Sequence, residues 1–105
     1  MIENRNHPLI LALDTHDLQE AREFLAPLRS ILRYVKVGPR LWTLGGAPFV
    51  NEIRDQGFEV FLDLKLHDIP NTVAQACAAA TRLGVWMLNV HASGGAAMLA
   101  AAREA

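Results

Sequence analysis

Glu59-Val60-Phe61-Leu62-Asp63-Leu64-Lys65-Leu66-His67-Asp68-Ile69-Pro70-Asn71-Thr72 is the stretch that decides how this chain is read. Glu59 to Leu66 has the length and composition of a strand. Side chains alternate across a strand, so Val60, Leu62, Leu64 and Leu66 share one face and Phe61, Asp63 and Lys65 share the other. The first face is wholly apolar; the second turns charged toward its C-terminal end. Two charges on the inward side of an apolar strand are costly unless they pair or meet solvent or ligand. One account of Asp63 and Lys65 is a structural ion pair, the other a functional pair held rigidly. Pro70-Asn71 then opens a helix through Val73, Ala76, Cys77, Ala80 and Leu83, ended by Gly84.

The pattern repeats outward in both directions. Leu9 to Asp14 is an apolar run closed by an acid, with Ile10, Ala12 and Asp14 on one face. Asp17 is placed to cap a helix through Leu18, Ala21, Phe24, Leu25 and Leu28. Tyr34 to Gly38 is a second strand, with Tyr34 and Lys36 on one face. Gly45-Gly46 breaks the chain, and a helix from about Pro48 to Gln56 ends at Gly57. Met87 to His91 is a fourth strand, with Met87, Asn89 and His91 together. Ser93-Gly94-Gly95 leads into a last helix, Ala96 to Ala105; a turn that needs glycine is favoured there over a phosphate loop.

Four alternations of strand and helix with short connections imply a parallel sheet with right-handed crossovers. Each strand has one apolar face and one that turns polar at its C-terminal end. An open sheet covered by helices on both sides would not gather four such polar faces, whereas a barrel buries the apolar faces under its helices and brings the polar ends to its mouth. The fold class expected is therefore α/β, a (β/α)₈ TIM barrel represented by its first four β/α units. Residues 1–105 are read as a single partial barrel domain lacking the C-terminal half.

Composition narrows the function. The chain has 105 residues, about half of them hydrophobic, and a net charge of -1. Nothing in that balance asks for a nucleic-acid polymer or an anionic membrane. No apolar run has the ~18–20 residues of a membrane span, and Met1 to His7 reads as a polar tail without a signal-peptide core. The single cysteine, Cys77, reads as a small buried hydrophobe and fits a cytoplasmic setting. No spacing of histidines and carboxylates suggests a zinc site. His7 and His16 are read as solvated, His67 as a loop residue, and Trp42 and Trp86 as packing against the helical layer.

Asp63-x-Lys65-x-x-Asp68-Ile69-Pro70-Asn71-Thr72 resembles the signature of the orotidine 5'-phosphate decarboxylase family. Leu11-Ala12-Leu13-Asp14, Val35-Lys36-Val37-Gly38 and Asn89-Val90-His91-Ala92 match in order along nearly the whole chain. Nothing is drawn from Pro39 and Arg40. The resemblance implies cofactor-free and metal-free conversion of orotidine 5'-phosphate to uridine 5'-phosphate, a step of pyrimidine biosynthesis, with a small nucleotide as substrate. By resemblance Lys65 stands beside C6 of the pyrimidine and donates its proton, and Asp63 lies near the departing carboxylate and holds Lys65. Lys36 continues the Lys-Asp-Lys-Asp array and contacts the ribose, while Asp14 binds the ribose hydroxyls. By resemblance Asp68 and Thr72, from the loop and helix start after the third strand, reach a neighbouring subunit's site, which implies a homodimer with composite active sites, and Ile69 is a substrate-binding residue. His91 lies near the substrate.

Two other readings are open. Magnesium-dependent sugar-phosphate decarboxylases and aldolases of the same suprafamily share Asp-x-Lys-x-x-Asp, although Ile69-Pro70-Asn71-Thr72 favours the orotidine enzyme. A half-barrel without catalysis is the second. The family grips phosphate through its C-terminal half, so the chain alone is expected to show negligible turnover. With two open sheet edges and Ile10, Phe61 and Met87 uncovered, it is also expected to dimerise or to pack loosely and aggregate.

Overall fold

The structure is a computed structural model that describes residues 9–105; the expected polar tail and His7 lie outside the described residues. Strand β1 (Ile10–Leu13) is followed by α1 (Leu18–Leu25) and a 3₁₀ turn (Ala26–Leu28). Then come β2 (Tyr34–Val37), α2 (Pro39–Asp55), β3 (Glu59–Leu66), α3 (Pro70–Leu83) and β4 (Met87–Val90), and after a second 3₁₀ turn (Ala92–Gly94), α4 (Ala96–Glu104). The four strands pair in parallel in the order β1-β2-β3-β4. That order never reverses, as a doubly wound sheet must, so the sheet is a section of a (β/α)₈ barrel.

Burial follows the alternation along the strands. Leu13, Val35, Val37, Val60 and Leu62 are sealed in one core with Ala21, Leu25, Leu41, Val50 and Ile53 of the helices. A smaller cluster joins Val73 and Cys77 of α3 to Met98 of α4, with Leu66, Leu88 and Val90 beneath. Cys77 is buried there, and burial pushes its thiol pKa up, as expected of a structural cysteine. On the other face of the sheet, Ala12, Lys36, Phe61 and Met87 lie in one register row. Ala12 is exposed and the other three are half-buried.

Local chemistry sets most of the boundaries. Asp17 caps α1 by accepting the Glu20 N–H at 2.8 Å. Pro70 supplies the first turn of α3, and Gly84 ends it in the left-handed region at φ +87°. Gly57, at φ +98°, does the same after α2. Arg54 of α2 donates to the Leu83 carbonyl at 3.1 Å, tying two helix C-termini together. Arg22 and Glu52 form a two-point ion pair between α1 and α2, at 2.7 and 3.2 Å.

Two expectations require correction. The helix after β2 begins at Pro39, not Pro48, and runs to Asp55 across a kink at Gly46, whose φ and ψ are 54° and -150°. Pro39 preorganises the first turn and Leu41 buries, so a helical segment precedes the glycine pair. Trp42 packs on the core as expected. Trp86 does not pack on the helices: its ring lies against Tyr34, 4.2 Å between centroids, beside an Arg33 guanidinium 5.5 Å from the Tyr34 ring. Trp86 precedes β4, and the alternation that governs the strand does not govern it. No described helix is long and apolar enough to cross a membrane.

Candidate active site

Asp63 is the one buried charged side chain among the described residues, 6 % exposed. Its position in β3, one residue past the sealed Leu62, turns it to the open face. A carboxylate so placed is tolerable only if its oxygens are fully engaged. Lys65 Nζ donates to both of them, at 2.9 and 3.1 Å, and Asn89 Nδ2 donates to Oδ1 at 2.7 Å. Lys36 Nζ, from β2, stands 3.5 Å from Oδ2. The hydrogen bonds from Lys65, opposed by burial and reinforced by the Asn89 amide and the charges of both lysines, hold the Asp63 carboxyl below the usual carboxylate range. Two ammonium groups thus share one ionised carboxylate where the strands end.

The expected alternation predicts the direction of Lys65 but not how its backbone gets there. The β3–β4 ladder runs through Phe61↔Met87 and Leu62↔Leu88, then resumes only at Leu66↔Val90. Residues 63, 64 and 65 of β3 therefore stand against Asn89 alone. Lys65 sits at φ +50°, the only non-glycine residue with a positive φ among the described residues. That conformation costs roughly 1–2 kcal/mol for a residue with a Cβ. The Lys65 N–H donates to Asn89 Oδ1 at 2.9 Å, and the His91 N–H donates to the Leu66 carbonyl at 2.9 Å where the ladder resumes. The Lys65 side chain is 61 % exposed, so its ammonium faces accessible space as well as Asp63.

The other predicted residues surround this centre without joining it. Asp14 lies just past β1, exposed, with Oδ1 3.8 Å from Arg40 Nη1. Arg40 also reaches the Thr15 carbonyl at 3.4 Å. Asp68 accepts the Ile69 N–H at 2.7 Å at the entry to α3. Asp68 and Thr72 share with Lys65 a hollow of about 330 Å³, and Ile69 projects 64 % exposed beside it. His91 is exposed; its ring stacks on His67 at 4.9 Å, and its Nδ1 lies 2.6 Å from Ser93 Oγ. Gly95 takes φ +96° before α4, which accounts for a glycine in that turn.

Asn89, Arg40 and Ser93 were given none of these contacts by sequence. Asn89 had a signal, since it falls on the polar face two residues after Met87. Ser93 was read only as part of the glycine turn before the last helix, and Arg40 had no signal. Among the described residues no group of three or more histidine, cysteine or acidic side chains gathers as a metal site would.

The chain is similar to longer proteins. It is 55 % identical over 100 residues to orotidine 5'-phosphate decarboxylase of Escherichia coli O81 (strain ED1a), a match covering 95 % of this chain and 41 % of that protein. A crystal structure of orotidine 5'-phosphate decarboxylase from Lactobacillus acidophilus superposes with a TM-score of 0.83 at 36 % identity, over 94 % of this chain and 45 % of that one. An uncharacterised conserved protein from Geobacillus kaustophilus gives a TM-score of 0.89 at 48 % identity, over 92 % of this chain and 45 % of that one. The chain thus spans less than half the length of these relatives. Residues 7–105 match the profile of the Orotidine 5'-phosphate decarboxylase / HUMPS family. With the barrel units, the Asp-x-Lys strand and this similarity in agreement, the chain belongs to that family.

Proposed function

We propose that this chain supplies the charged half of an orotidine 5'-phosphate decarboxylase site, acting without metal ion or organic cofactor in the cytoplasm. The observation that carries the reading is the Asp63 carboxylate held between the Lys65 and Lys36 ammonium groups at the C-terminal end of the sheet. In the reaction, the bond from C6 of the pyrimidine to its carboxylate breaks and carbon dioxide leaves. The electron pair stays on C6, which has no ring position suited to delocalise it. A fixed ammonium beside C6 stabilises that charge without reorganising, which is where preorganised electrostatics has most effect. Lys65 then gives its proton to C6, and uridine 5'-phosphate results.

Asp63 keeps the Lys65 ammonium in place, and the carboxylate it presents lies toward the departing one. Lys36 and Asp14 take the ribose, and His91 flanks the substrate. Asp68, Ile69 and Thr72 complete the site of a second subunit in a homodimer. The reading is supported by their exposure on the loop before α3 and the first turn of that helix, outside the Lys36-Asp63-Lys65 cluster.

The test is a barrel in which residues 9–105 replace the matching segment of the Escherichia coli relative. Formation of uridine 5'-phosphate is expected. Lys65→Ala removes both the fixed charge and the proton donor, so turnover is expected to fall by at least ~10³-fold. Full turnover by that variant would end the proposal. The chain by itself is expected to show negligible turnover.

A further inference from the structure

We infer that Asn89 is a positioning residue, whose single carboxamide sets both the backbone of Lys65 and the carboxylate of Asp63. Only its consequence for turnover rests on the decarboxylase reading; the geometry stands apart from it.

Where the ladder is regular, backbone holds backbone. Between Leu62 and Leu66 it is not regular, and Asn89 alone faces three residues of β3. The Lys65 N–H finds Asn89 Oδ1 at 2.9 Å, and Asn89 Nδ2 finds Asp63 Oδ1 at 2.7 Å. An acceptor is needed on one side and a donor on the other, both at the end of a short side chain. Among the side chains of this size only a carboxamide offers the two together. Its orientation is forced: turning it over would set oxygen against carboxylate and NH₂ against N–H.

Asp63 Oδ1 is therefore held by Asn89 and Lys65, and Oδ2 by Lys65 and Lys36. The left-handed Lys65 backbone has its amide satisfied by the same residue that grips the carboxylate. Asn89 makes this connection from the neighbouring strand, so it couples the position of the ammonium to that of its counter-ion. It touches neither through a charge of its own, which leaves the balance of the cluster unchanged.

The experiment is nuclear magnetic resonance on the chain, following two signals in the wild type, Asn89→Leu and Asn89→Asp. One is the Asp63 carboxyl carbon through an acid titration; the other is the Lys65 amide-to-Hα coupling, which reports φ. In Asn89→Leu both bonds are gone: the Asp63 midpoint is expected to rise and the Lys65 coupling to leave its left-handed value. Asn89→Asp keeps the acceptor and loses the donor. Its Lys65 coupling should persist, while one carboxyl of the new pair titrates above the ordinary range, because two adjacent carboxylates resist joint ionisation. Wild-type titration and coupling in both variants would overturn the inference.

In the grafted barrel, Asn89→Leu is expected to lower kcat by ~10²-fold with little change in KM, the mark of a misplaced reacting group. Unchanged kcat would also overturn it. A wild-type graft without turnover would remove the decarboxylase reading alone, and the titration and coupling would still decide the role of Asn89.

Discussion

On its outer side β3 presents Val60 and Leu62, at most 1 % exposed beneath the helices. On its inner side, one residue further along, it presents Asp63 and then Lys65. The outer residues sit in regular register with β2, four consecutive pairs without interruption. The inner charges sit where the ladder with β4 loses step. Regular pairing makes a rigid support, and the irregular stretch keeps the facing that alternation predicts while giving Lys65 a left-handed backbone and an amide held by the Asn89 side chain. Packing and charge thus occupy opposite faces of the same eight residues.

Substitutions on the two faces should separate accordingly. Leu62→Ala removes a sealed side chain and is expected to cost about 2–5 kcal/mol in denaturant unfolding; a loss below ~1 kcal/mol would mean that the outer face is not the support described. Acid acts on the inner face. Because the Asp63 carboxyl is held below its unfolded value, its contribution is complete above pH ~4 and disappears as pH falls through the lowered value. Stability should therefore drop on acidification in that range. An Asp63→Asn variant should show a shallower drop, and parallel curves would break the comparison. The smallest effect is expected away from both faces. The Arg22–Glu52 pair is well exposed on both partners, and Arg22→Ala should change stability by no more than ~1 kcal/mol in the same assay.

Much of this was legible from residue order alone. Glu59–Leu66 and Pro70–Leu83 have the boundaries expected of them, because a long alternation, a proline start and a glycine stop agree. The convergence of Lys36, Asp63 and Lys65 followed from strand parity and barrel order. The helical turns before Gly45 were hidden because a proline after a strand, followed within six residues by a glycine pair, looks like a loop. Trp86 was misplaced because a tryptophan just before a strand carries no periodicity of its own, and its ring lies against Tyr34 of the neighbouring β2. The double role of Asn89 depends on a slip between two strands, and periodicity within one strand carries no information about its neighbour's step. Arg40 meets Asp14 only through the angle at which α2 leaves β2.

The left-handed turn at Lys65 has one more consequence. Glycine would adopt it freely, but Lys65→Gly would also strip the buried Asp63 carboxylate of the donor that reaches both its oxygens, a loss that outweighs the ease gained in the backbone. A screen for heat resistance alone should therefore keep the lysine, whose strained backbone is sustained by the ion pair its side chain makes.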